Sequence, residues 1–181
     1  MDTGGKMKVY LIVAASLLIS VMAVNPTVAQ GVFKVETGQA FNKILPKDFV
    51  LEANAIPTQK RNSALVITPS GSRLVVGLLD TSGYSSQVQE KYLGMLITEG
   101  SVDVCDSSVA IGSYGFGLAK PPGASEGQAS KFILYNQDGQ KVTECSAAWD
   151  AKIEHPRPLQ VVVEGGSTAR LYLGRNWIEL K

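Results

Sequence analysis

The chain is poor in the side chains that do chemistry. Histidine occurs once, at His155, and cysteine twice, at Cys105 and Cys145. The wide separation of the two cysteines excludes Cys-x-x-Cys redox chemistry. Two distant thiols with one histidine cannot make a zinc site by themselves. Charge of either sign is also scarce, with 17 basic against 16 acidic side chains. Past residue 30, Lys60-Arg61 is the only adjacent basic pair. Such a chain has no field to attract nucleic acid or an anionic membrane surface. No helical periodicity outlasts two turns, and no internal repeat is visible, so helical bundles and solenoids are excluded too.

What is present starts with an export signal. Lys6 and Lys8 precede an apolar run from Val9 to Val24, and Asn25-Pro26 then breaks any helix. Thr27-Val28-Ala29 places small or β-branched residues before a cut after Ala29, the layout of a secretory signal peptide. A spanning helix wants about 20 apolar residues, and this run is shorter and interrupted by Ser16 and Ser20. The expectation is a signal peptide over 1–29 and a single β-rich domain over 30–181. The mature product would be exported, to a periplasm or outside the cell, without a stable membrane anchor. Cleavage takes away Lys6, Lys8 and Asp2 and leaves the domain electrically neutral. In an oxidising compartment Cys105 and Cys145 are expected to form a disulfide rather than remain two buried thiols.

Beyond the signal, short β-branched and aromatic runs alternate with turn residues. Strands are expected at Val32–Glu36, Phe49–Ala53, Ala64–Thr68, Arg73–Leu79, Tyr92–Thr98 and Ser101–Cys105. Others are expected at Ser113–Leu118, Lys131–Tyr135, Lys141–Cys145, Leu159–Glu164, Thr168–Leu173 and Asn176–Leu180. "ILYNQDGQKVTEC" and "LQVVVEGGSTARLYL" are the clearest hairpins, because their glycines supply the positive φ that tight turns need. Many short strands at this spacing predict an all-β fold, an antiparallel sandwich or barrel with at most short helical turns. "RLVVGLL" and "LGMLI" are apolar on both faces and read as strands covered on two sides. Two segments are candidates for the cover: Ser85–Tyr92, where Ser86 and Gln89 have capping-box spacing, and "CSAAWDAKIEH". The Pro/Gly/Ser-rich stretch Lys120–Ser130 reads as an exposed loop.

Candidate chemistry is thin. "VVGLLDTSGYSS" ends an apolar strand in Asp80-Thr81-Ser82-Gly83, close to the Asp-Thr/Ser-Gly loop of aspartic proteases. In that loop the glycine follows the aspartate by two residues and lets the backbone wrap its carboxylate. Serine stands there instead, and no second such loop occurs, so catalysis would require a dimer. Asp, Thr, Ser and Gly in sequence are also turn chemistry, with the Asp side chain accepting a backbone N–H two residues on. His155 precedes Pro156 and lacks a Gly-x-Ser-x-Gly elbow elsewhere to serve, which makes it a loop residue. "GSYGFGLAKPPG" lacks the Lys-Ser/Thr of a phosphate loop, and no metal or cofactor is expected. Its alternating glycines instead describe a strand with one bare face that another segment or a ligand could approach closely.

One segment carries a resemblance. "ITEGSVDVCDSSVAIGSYGFGL" is similar to a stretch in small exported bacterial β-proteins of a domain-of-unknown-function family, matching at Val102, Val104, Val109, Gly112 and Tyr114. Cys105-Asp106-Ser107-Ser108 replaces the glycine turn usual there, and Ala110-Ile111 also departs. The resemblance implies export and a sandwich-like β fold, and it brings no activity. The functional expectation is a non-catalytic domain that binds a small ligand or an envelope protein. Aromatics near strand ends are the candidate contacts: Tyr84, Tyr92, Tyr114, Phe116, Tyr135 and Trp177. The alternative is a secreted hydrolase of aspartic-protease type using Asp80.

Overall fold

The structure, a computed structural model, describes Met1 and residues 31–36, 39–121, 123, 125, 127–128 and 130–181. The expected signal peptide, Met1 aside, lies outside the described residues. Among them no helix is long and apolar enough to cross a membrane.

The fold is antiparallel β throughout. Its elements are β1 (Lys34–Glu36), α1 (Gln39–Ile44), β2 (Asp48–Leu51), β3 (Asn54–Ile67), β4 (Arg73–Leu79), α2 (Ser86–Lys91), β5 (Gly94–Thr98) and β6 (Val102–Val104). Then follow β7 (Ser107–Val109), β8 (Gly112–Ala119), β9 (Ser130–Tyr135), β10 (Lys141–Trp149), β11 (Gln160–Glu164), β12 (Thr168–Leu173) and β13 (Asn176–Leu180). The strands form one sheet in the order β1-β3-β4-β5-β8-β9-β10-β13-β12-β11, with β2 on β3 and the β6–β7 hairpin on β13. The sheet curls into a nearly closed barrel, and β11 comes round to lie beside β1 and β3. Among the described residues no ladder joins β11 to either strand. The Phe33 N–H donates to the Gly166 carbonyl at 2.7 Å and ties one end of this seam.

Alternation along the strands divides the apolar residues between two cores. The inner one fills the barrel with Val66, Leu74, Val76, Leu96, Phe116, Phe132, Leu134, Leu171, Ile178 and Leu180. The second lies outside β3, β4 and β5 and holds Leu51, Ile56, Leu65, Val75, Leu79, Val88, Tyr92 and Met95. This explains why "RLVVGLL" is apolar on both faces: β4 feeds both cores at once. The β2–β3 hairpin, α1 and α2 supply the outer cover.

Of the two segments expected as cover, Ser85–Tyr92 provides α2. Its N-cap is Ser85 rather than Ser86, with the Ser85 hydroxyl accepting from the Val88 N–H at 3.4 Å. "CSAAWDAKIEH" is not helical at its start. Cys145 to Trp149 continue β10, with Ala147 buried between exposed Ser146 and Ala148, and Ala148 pairs with Trp177. Period-two burial overrides the helix propensity of the alanine pair there. The bare face of β8 is taken by the chain itself. Gly115 lies against Leu51 and the Tyr92 ring, and a Cβ at Gly117 would stand 2.1 Å from the Lys91 carbonyl oxygen. Cys105 and Cys145 form the expected disulfide, with Cα atoms 5.5 Å apart, and it fastens the β6–β7 turn to β10.

Candidate functional site

The residues expected to bind do not converge. Phe116 is wholly buried in the inner core, stacked on Phe132 with ring centroids 5.5 Å apart. Tyr114 is half-buried and donates to the Ala110 carbonyl at 3.0 Å, while the Tyr84 hydroxyl donates to the Ala55 carbonyl. Trp177 lies on the outer face of the β12–β13 pair, beneath the Arg170 guanidinium at 4.0 Å and beside Tyr172. Only Tyr92 and Tyr135 meet, edge to face at 5.5 Å.

Tyr92 and Tyr135 belong to a polar latch rather than an open site. The β2–β3 loop holds Glu52 and Ala53 at φ of 47° and 63°, which aims the Glu52 carboxylate at α2. There it accepts from the Lys91 ammonium and from the Tyr92 hydroxyl at 2.6 Å. The Glu52 N–H donates to the Gln137 carbonyl at 2.8 Å, so the β9–β10 turn is bound in as well. Lys91 also stands 5.2 and 5.0 Å from the Tyr92 and Tyr135 ring centres. Hydrogen bonds from Lys91 and then Tyr92 hold the Glu52 carboxyl below its usual range. Burial, followed by the hydrogen bond to Glu52, pushes the Tyr92 phenol upward.

Asp80 is exposed at the end of β4. Its Oδ1 accepts from the Ser82 hydroxyl at 2.7 Å and the Ser82 N–H at 3.2 Å, the Asx-turn geometry. The hydroxyl first and the N–H second lower its pKa. This is the environment of a turn carboxylate held in its ionised form by local hydrogen bonds. His155 is exposed in the loop before β11. Among the described residues, no cluster of His, Cys, Asp and Glu is placed to hold a metal ion.

A cavity opens where the barrel fails to close. A cleft of about 720 Å³ lies along the seam, lined by Val35, Phe41, Ala64, Leu159 and Val161 and by the polar Asn62, Ser63 and Gln160. Glu36, Arg61 and Arg157 stand at it too. Its β3 lip is made by a bulge. Gln59 pairs with Leu78 and Ser63 with the adjacent Gly77, so Lys60, Arg61 and Asn62 are extra residues with no partners on β4. Gln59 fixes this bulge: its side-chain oxygen accepts from Asn62 at 2.7 Å and its carbonyl from the Ser63 hydroxyl at 2.8 Å. Bulges of this kind re-aim side chains and recur beside functional sites. The opposite lip begins at Arg157-Pro158, just after Pro156. Two prolines fix φ around Arg157, and its carbonyl accepts from the Gly174 N–H at 3.2 Å.

Sequence reasoning passed over Arg61, Asn62, Arg157 and Gln160. The signals were there in outline: Lys60-Arg61 as the lone basic pair, and an arginine between two prolines. What was missing was the placement of β3 beside β11, which are nearly one hundred residues apart in the chain. Comparison with protein families, curated proteins and solved structures gives no match for this chain.

Proposed function

We propose that this chain is an exported, non-catalytic binding domain that takes a small ligand in the seam cleft. The observation that carries this reading is the unclosed seam itself, a cleft of about 720 Å³ with an apolar floor and polar lips. Small-molecule sites are concave, typically about 300–1,000 Å³, mostly apolar and edged by a few polar groups on fixed backbone. The bulge of β3 and the proline-flanked Arg157 are such fixed backbone. Export, to a periplasm or beyond the cell, rests on the leader-like residues 1–29. The Cys105–Cys145 bridge suits an oxidising compartment. The resemblance of Ile97–Leu118 to small exported bacterial β-proteins points the same way.

The test is an amide-resolved NMR titration of the mature protein with a small-molecule library. Shifts gathered at Val35, Ala64, Leu159 and Val161 are expected, and Gln160→Trp should abolish them by filling the cleft. Hits scattered elsewhere, or unaffected by Gln160→Trp, would remove the seam from consideration. The hydrolase alternative is checked separately. Asp80→Asn should leave any acid-pH proteolysis unchanged from background, and a genuine activity lost in that variant would reinstate it.

A further inference from the structure

We infer that the ligand of the seam cleft is an amphiphilic anion, a carboxylate or phosphate head on an apolar body; this rests on the cleft being the binding site. The chain has five arginines, and the structure treats them unequally. Arg73 is paired with Glu99, and Arg170 with Glu164 at 2.8 Å. Arg175 lies over the Trp149 ring and donates to the Ile153 carbonyl at 3.1 Å. Arg61 and Arg157 have no such partner among the described residues, and these are the two at the cleft. The one acid in the lining, Glu36, is already engaged by Lys34 at 2.6 Å. The cleft therefore presents two guanidinium forks that no carboxylate of the described residues engages. A guanidinium matches carboxylate and phosphate oxygens in a bidentate geometry that a lysine ammonium does not offer.

The rest of the lining fixes the other half of the ligand. Val35, Phe41, Ala64, Leu159 and Val161 offer an apolar surface between the arginine-bearing lips. Leu159 is buried, and Val161 packs against the inner core. A bare anion would leave that surface in water, and a purely apolar ligand would leave the guanidiniums unmatched. The seam is pinned at one end, where the Phe33 N–H is bonded to the Gly166 carbonyl.

Decanoate, decyl phosphate, decanol, acetate and inorganic phosphate, each titrated calorimetrically into the mature protein, test this. Decanoate or decyl phosphate should bind at least tenfold more tightly than decanol, and acetate and inorganic phosphate should bind weakest. The better of the two anions tells a fatty-acid-like ligand from a phosphate ester. Arg61→Gln and Arg157→Gln should each weaken the anion about tenfold or more, the worth of a charged hydrogen bond, with decanol unchanged. Both arginines are exposed, so cooperative unfolding should be retained in each variant. Equal binding of decanol and decanoate, insensitive to both substitutions, would overturn the anionic head while leaving the cleft as the site. Inorganic phosphate binding as tightly as decyl phosphate would overturn the apolar body. No probe perturbing the Leu159 and Val161 amides, with library hits elsewhere, would overturn the cleft itself.

Discussion

At the residue scale, two positions show how little freedom the outer core leaves. Gly117 is a glycine because the Lys91 carbonyl of α2 occupies the space of a side chain. Gly117→Ala should lower the unfolding free energy by about 1–3 kcal/mol through overpacking, read from a denaturant midpoint. Glu52 is the other. Its carboxyl is held below the ordinary value by Lys91 and Tyr92. A group whose folded pKa is depressed contributes stability that is whole above its unfolded pKa and is lost as pH falls through the folded one. Stability should therefore fall from about pH 5 downward, and Glu52→Gln should flatten that acid limb in a series of urea melts. An unaltered limb in the variant would assign the acid sensitivity to other carboxylates, such as Glu99 or Glu144, which Arg73 and Lys131 also hold low.

At the element scale, the strands were legible wherever a single chain segment decides its own fate. Arg73–Leu79, Thr168–Leu173 and Asn176–Leu180 coincide with β4, β12 and β13, and both glycine-marked hairpins are present. Two of the misses share one cause, the use of glycine as the turn marker. Two tight loops reverse without it: Glu52-Ala53 between β2 and β3, and Cys105-Asp106 between β6 and β7, all four residues at positive φ. In the first, Asn54 donates its side-chain amide to the Leu51 and Glu52 carbonyls at 3.3 and 3.0 Å. In the second, the disulfide clamps the turn. Hence the first half of β3 and the whole of β7 were invisible. The site was less legible still, since the β3 bulge acts only through its distant neighbour β11. Two outcomes are expected here. Cys105→Ala/Cys145→Ala should cost up to about 4 kcal/mol, the loop-closure estimate for the 40-residue separation, measured against the oxidised protein. Deleting Lys60–Asn62 restores a regular β3–β4 ladder with its inward and outward alternation intact. The deletion should still unfold cooperatively and lose anion binding.

At the scale of the whole molecule, the barrel is an antiparallel ring interrupted once. Barrels abolish sheet edges by closing; here the β11 edge and the short β1 edge are instead left facing a cavity. Five of the six aromatics that looked like ligand contacts are engaged in holding elements together: Tyr84 on β2–β3, Tyr92 and Tyr135 at the latch, Phe116 in the inner core, and Trp177 under Arg170. Hydrogen exchange should report the asymmetry of the ring, with amides on the free side of β11 exchanging fastest among the strands and those of β4 and β5 slowest. Uniform protection around the barrel would mean that the seam is bonded in solution.

The Cys105–Cys145 bond joins the β6–β7 turn to β10, three strands from β11 in the sheet order, and leaves both margins of the interruption covalently unrestrained. The molecule is thus riveted through one wall and unfastened at its mouth. Widening of the mouth to admit a guest bulkier than the resting gap would cost no covalent bond and few backbone hydrogen bonds. Reductant should accordingly weaken that wall without changing what the mouth accepts.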